Sequence, residues 1–183
     1  GRLLPTAAKG GSAATDLVSE LAVKVAGQLT ARSRQLMPRP KTALSVAGEL
    51  SGTVKGNGRK VYVKVAESIS APAIDPAAET ELKKLLIALG FEVVEDRQDA
   101  EFLFLGEGLA TDSGRYQNFS SSTARLELNL YKGKQILLSD RQKETVAGPS
   151  YVIAAKDALA RCSLELARRM LPALFAAGLV WLV

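Results

Sequence analysis

The chain has 183 residues, 47% of them hydrophobic and 5% aromatic, with a formal net charge of +5. At this length one core buries roughly 70% of the surface of the unfolded chain, so folding needs neither metal nor disulfide. With no histidine and a single cysteine, Cys162, an intrachain disulfide, a thiolate zinc cage and the commonest general base are all excluded.

The charge is uneven: residues 1–60 carry ten Lys/Arg against three Asp/Glu, and residues 61–183 fourteen against sixteen. From Thr15 the apolar residues Leu17, Leu21, Val25 and Leu29 fall at helical spacing, with Val18 and Ala22 beside them. This helix is expected to end before Pro38, because the residue preceding a proline avoids the helical region. Arg32, Arg34, Arg39 and Lys41 gather at its end, where cations suit the helix dipole, and are candidates for contact with an anionic surface. Residues 42–54 show partial β character in Leu44, Val46, Leu50 and Val54, interrupted by Gly48 and Gly52. Residues 1–55 thus read as a basic N-terminal helix and linker, and residues 56–183 as an α/β domain with an apolar C-terminal tail.

Residues 60–66 alternate, with Val61, Val63 and Val65 on one face, and predict a strand. After a loop, Asp75 is placed to cap a helix over 76–89 and Pro76 to open it. Its buried stripe is Leu82, Leu85, Leu86 and Leu89, and Gly90 sits where a left-handed terminus belongs. Residues 91–95 and 101–106 read as two strands, the second nearly continuous in apolar residues and so buried on both faces. Residues 111–122 are polar and read as a surface loop. Residues 123–131 alternate again, and Lys132-Gly133 turns the chain into a strand over 134–139, making a hairpin. From Ser150 a last helix repeats Val152, Ala155, Leu159, Cys162, Leu166 and Met170 at spacings of three and four, until Pro172 kinks or ends it. The tail 174–183 is apolar but short of the about 20 residues a spanning helix needs. It is expected to fold back onto this domain or onto a second copy. Because the chain opens on Gly rather than Met, it is expected to be a processed or trimmed form, and the lack of a secretory signal says nothing for the cytosol.

The Val-rich strand 61–65, the helix ending in Gly90-Phe91-Glu92-Val93-Val94, and the run Asp99-Ala100-Glu101-Phe102 with apolar residues up to Gly106 form one pattern. A serine-rich stretch leading into the strand that ends at Tyr131, the Gly133-Lys134 turn and the Ala-rich helix 154–171 complete it. The pattern resembles the curli-secretion lipoprotein and TolB N-terminal-domain group of bacterial envelope proteins, over about residues 59–172. Ala66-Glu67-Ser68 stands where that group carries Pro-Phe. The resemblance implies an α/β fold with a mixed sheet of about five strands packed against two or three helices, TolB N-terminal-domain-like. It further implies a non-enzymatic, periplasm-facing, outer-membrane-associated protein derived from a lipoprotein. Such a protein would act in assembly or as an adaptor on an envelope protein partner, near a membrane surface or as a homo-oligomer.

Other signals point less far. Gly106-x-Gly108 lacks the third glycine and the following helix of a phosphate loop, and reads as a strand-end pair. Asp96, Asp99 and Glu101 lack calcium-loop spacing and read as a solvated turn, and Glu107 with Asp112 shows no sign of a tuned acid–base pair. Cys162 on the helix stripe reads as a packing residue. Arg115, Tyr116, Asn118 and Phe119 are the candidate partner-binding residues, since aromatics beside an arginine mark recognition surfaces. No catalytic residue, metal ligand or cofactor is assigned, and no nucleic acid is expected as partner. Two other classes stay open: a nucleic-acid-binding domain using the basic N-terminal third, and a small enzyme working without histidine.

Overall fold

A computed structural model describes residues 16–28, 41–70 and 75–176. The chain divides into two compact units, 1–40 and 41–183. In the first, residues 16–28 form helix α1, with Leu17, Leu21 and Val25 at the expected helical spacing. Arg32, Arg34 and Arg39 lie outside the described residues.

The second unit runs α2 (Ala43–Leu50), β1 (Lys60–Ile69), α3 (Ala77–Ala88), β2 (Glu92–Val93), a single 3-10 turn (Arg97–Asp99), β3 (Phe102–Tyr116), β4 (Phe119–Lys132), β5 (Gln135–Gly148) and α4 (Tyr151–Ala176). The five strands form one sheet in the order β2-β1-β3-β4-β5. β1 is parallel to β2 and to β3, while β3, β4 and β5 are antiparallel neighbours. This is the α/β architecture with a mixed five-stranded sheet that the sequence predicts.

Alternation decides which face is buried. Val61, Val63 and Val65 pair in register with Phe102, Phe104 and Gly106, and these with Lys132, Leu130 and Leu128 on β4. On that face Val61, Phe102, Phe104, Leu126, Leu128 and Leu130 are fully buried, in one cluster with Leu82, Leu85 and Leu86 of α3 and Leu159, Cys162 and Leu166 of α4. The opposite face of the sheet carries the alternate residues, of which Lys64, Glu107, Leu109, Arg125 and Glu127 are exposed.

Four expectations are corrected. Residues 42–54 are not β-like: they hold α2, whose Ala43, Val46, Ala47 and Leu50 are buried. Thr42 and Ser45 cap its start reciprocally, the Ser45 N–H donating to Thr42 Oγ1 and the Thr42 N–H to Ser45 Oγ. Residues 111–122 are not a loop, because β3 and β4 run through them. Asp75 does not cap α3; its carboxylate pairs with Lys156 of α4 at 2.7 Å. Finally, α4 does not end at Pro172 but continues to Ala176. There Leu174 is buried and the Phe175 ring meets Phe91 edge-on, with centroids 6.4 Å apart. Residues 177–183 of the tail lie outside the described residues.

The cap on α3 comes from β1. The Glu67 carboxylate accepts the N–H groups of Ala77 at 2.8 Å and Glu79 at 3.1 Å. Because β2 is only two residues long, the outer side of β1 has, among the described residues, no strand beside it beyond Val61. Glu79 stands in: its buried carboxylate accepts the Val65 N–H at 3.0 Å, with Lys83 and Lys64 at 3.2 and 3.5 Å. Burial pushes the Glu79 pKa up, but the Val65 hydrogen bond and the two lysines outweigh it and hold the group below its ordinary value. At Glu67 burial prevails and the pKa is raised.

The two signs oppose each other. The stability that Glu79 contributes is present above the unfolded carboxylate pKa and is lost as pH falls through its folded value. That of Glu67 is present below the unfolded pKa and is lost as pH rises through its folded value. Glu79→Gln is therefore expected to flatten the loss of stability below about pH 4.5 in denaturant titrations. An unchanged pH slope would show that the Glu79 carboxylate carries no acid-sensitive stability.

Candidate recognition site

β3 and β4 are 15 and 14 residues long, roughly twice the usual strand. They pair continuously from Phe102↔Lys132 to Tyr116↔Phe119, closing on the two-residue turn Gln117-Asn118. Gln117 holds the positive φ of 52° that this turn needs. β1 ends opposite Ala110, so β3 carries its tip about 20 Å further at the normal strand rise. β5 accompanies the hairpin as far as Ser120↔Gly148.

The root of this projection is pinned by Tyr151, the first residue of α4. Its hydroxyl donates to the Ala110 carbonyl at 2.9 Å and accepts the Ser70 N–H at 3.0 Å, joining the end of β1 and the middle of β3 to the start of α4. Above the root the ribbon is held by polar groups. The hydroxyls of Ser113, Thr123 and Thr145 form a ladder across three strands, at 2.6 and 2.9 Å. Ser122 Oγ, fully buried, donates to the Thr111 carbonyl. Between Asp112 and Gly114 one extra residue enters β3, and the Gly114 N–H closes the bulge onto Asp112 Oδ1 at 2.8 Å. Tyr151→Phe is expected to lower stability by about 1–2 kcal/mol, because removing one half-buried hydroxyl leaves two backbone groups without their partner. If equilibrium unfolding shows no change, the root is held by other contacts.

The tip gathers the residues singled out in the sequence. Arg115 is exposed and its Nε donates to the Gln117 carbonyl at 3.3 Å. Tyr116 is the cross-strand neighbour of Phe119, and Asn118 lies in the turn between them. Phe119 is 58% exposed, a large ring left in water. Ser113, Gly114, Arg115, Phe119 and Ser120 line a shallow hollow there.

The other singled-out residues lie elsewhere. Lys41 pairs with Glu165 of α4. Burial raises the Glu165 pKa, but Lys41 and Arg168 outweigh it and hold the carboxyl below its ordinary value. Gly106 and Gly108 are mid-strand residues of β3, not strand ends, and face the helices. Asp96 caps the 3-10 turn through the Gln98 N–H, and Glu101 is 3.6 Å from Arg59 and 3.8 Å from Lys132. Cys162 is fully buried, with its thiol pushed up to about 12 by burial and then by the Glu144 charge. Sequence reasoning passed over Tyr151 and the threonine ladder. The period-two spacing of Thr111, Ser113 and of Thr123, Ser121 was the available signal.

No family model and no curated protein matches this chain. Among solved structures it is similar to a protein from Xanthomonas campestris, at 10% identity and a TM-score of 0.43, over 69% of this chain and 89% of that one. It is also similar to the PelC dodecamer from Paraburkholderia phytofirmans, at 15% identity and a TM-score of 0.40, over 61% and 91%. A minor lipoprotein from Acinetobacter baumannii matches at 16% identity and a TM-score of 0.39, over 66% and 92%. Among the described residues no helix is long and apolar enough to cross a membrane.

Proposed function

We propose that this chain is a non-enzymatic module of the bacterial envelope, periplasm-facing and lipid-anchored in its full form, which serves as an assembly factor or adaptor by recognising a protein partner. The observation that supports it most is the projecting hairpin. A long ribbon, pinned at its root by Tyr151, ends in Arg115, Asn118 and an exposed Phe119. An aromatic ring held in water beside an arginine is the usual make-up of an interface anchor. The envelope setting rests on the resemblance carried by residues 59–172.

The test places a photoreactive residue at position 119 of the full-length protein in cells. The expected result is a discrete adduct with one envelope protein, lost on Arg115→Ala and absent when the photoreactive residue stands at the exposed Lys84 on α3. No adduct from position 119, the same adducts from both positions, or recovery of the protein in the cytoplasmic fraction would overturn the proposal.

A further inference from the structure

The face of the sheet that carries Glu107 and Arg125 is polarised. Taken in register, one row across it reads Ala66, Glu107, Glu127, Arg141 and the next Ser68, Leu109, Arg125, Lys143. Two like-charged pairs therefore stand directly opposite each other on neighbouring strands: Glu107 with Glu127, and Arg125 with Lys143. Such pairs are destabilising within one sheet. All five charged side chains are exposed. Arg125 reaches Glu127 along its own strand, but Glu107, Arg141 and Lys143 have no ion-pair partner among the described residues. The face is also hollowed. Glu107 and Glu127 line a depression of about 430 Å³, and Arg141 and Lys143 one of about 530 Å³; Leu109, 52% exposed, and Arg125 line both.

We propose that this face is a two-fold contact surface for a second copy of the chain, with the acidic side of each copy lying over the basic side of the other. The geometry is self-complementary. Strands are about 4.8 Å apart and same-face residues about 6.7 Å apart, so Glu107 and Lys143 occupy opposite corners of a patch roughly 12 Å across. A two-fold axis in the plane of contact, passing between those corners, lays Glu107 over Lys143 of the second copy and Glu127 beside its Arg141. Each pair occurs twice, as isologous contact requires. The like-charged neighbours that repel within one chain are then offset across the interface, around Leu109. An anionic ligand would use the bases alone and would leave Glu107 opposite Glu127 unexplained. This surface is distinct from the hairpin tip, so its test does not depend on the partner proposed above.

Two charge reversals test it in the full chain: Glu107→Lys with Glu127→Lys, and Arg141→Glu with Lys143→Glu. Sedimentation velocity of the parent protein is expected to show a dimer that weakens with salt, as the Debye length falls from about 10 Å at 0.1 M to about 3 Å at 1 M. Each reversed protein is expected to lose self-association by at least about tenfold. Mixed in equal amounts, the two are expected to form a heterodimer, one face now wholly basic and the other acidic but for Arg125. Because all four sites are exposed, thermal unfolding of each variant is expected to match the parent, which separates lost association from lost folding. A parent that stays monomeric at low salt, variants that dimerise as the parent does, or folded variants that fail to pair when mixed would each overturn the proposal. So would loss of association in the Arg141/Lys143 variant alone, which would point to an anionic ligand instead.

Discussion

Gly56→Ala is expected to destabilise the α/β unit by about 3 kcal/mol or more, the upper end of what overpacking does. The loop before β1 lies against the end of α3: the Gly56 N–H donates to the Leu89 carbonyl and the Gly58 N–H to the Gly90 carbonyl, both at 2.8 Å. A methyl group at position 56 would stand 2.3 Å from Phe91 N, 2.4 Å from Gly90 C and 2.6 Å from Gly90 O. All three are backbone atoms, so no side chain can rotate away. Gly90 is itself fixed at φ 84° as the left-handed residue that ends α3. Relief must come by parting the loop from the α3–β2 turn, which breaks both hydrogen bonds. For a unit of this size the expected fall in melting temperature is about 10 °C. Gly52→Ala is the control, because a methyl group there meets nothing within 4 Å. A melting temperature for Gly56→Ala equal to that of the control would show that the loop does not sit on α3 as described.

The elements that could be read from the sequence are those with one buried face. β1, α3, α4 and the inner half of β4 each bury alternate residues or a stripe at three- and four-residue spacing, so their periods mark them. α2 was missed for a different reason. It is eight residues long, and Gly48 and Gly52 argue against a helix by propensity. Its cap uses Ser45 where a glutamate is the familiar signal, and its stripe of Ala43, Val46, Ala47 and Leu50 is half alanine. Tertiary packing against α3 and α4 decides that segment. The outer half of the β3–β4 hairpin was missed because the side chain it buries, Ser122, is polar and marks no apolar face. A strand of Thr, Asp, Ser and Gly has no apolar alternation to show, and its order comes from register, a bulge and hydroxyl ladders. Composition still marked Arg115, Asn118 and Phe119, but not that a two-residue turn brings them to one tip. Nor could a single strand show that Glu107 faces Glu127, or Arg125 faces Lys143, since charge rows exist only once register is known.

Leu159→Ala and Gly108→Ala are expected to be strongly non-additive. Leu159 on α4 is fully buried, so truncating it alone should lower stability by about 2–5 kcal/mol. Gly108 lies in β3 directly beneath it. A methyl group at 108 would stand 2.8 Å from Leu159 Cδ2 and 3.3 Å from Leu126 Cδ1. Both are ends of leucine side chains, which can yield only by leaving their preferred rotamers in a packed core. Gly108→Ala alone is therefore expected to lose about 1–3 kcal/mol to overpacking, against a gain of about 0.4–1 kcal/mol from a less flexible unfolded chain. In the double variant the clash with Leu159 disappears, because the atoms that cause it are gone, and the new methyl group enters the space they leave. The loss in the double variant should fall short of the sum of the two by about 1 kcal/mol or more, within the range for residues in contact. Denaturant unfolding with unchanged m-values gives the four free energies the cycle needs. Additivity to within about 0.5 kcal/mol would mean that α4 does not rest on β3 at Gly108. The glycine would then have to be explained by the Leu126 side chain and by Glu67, whose Cγ lies 3.7 Å from the same methyl position.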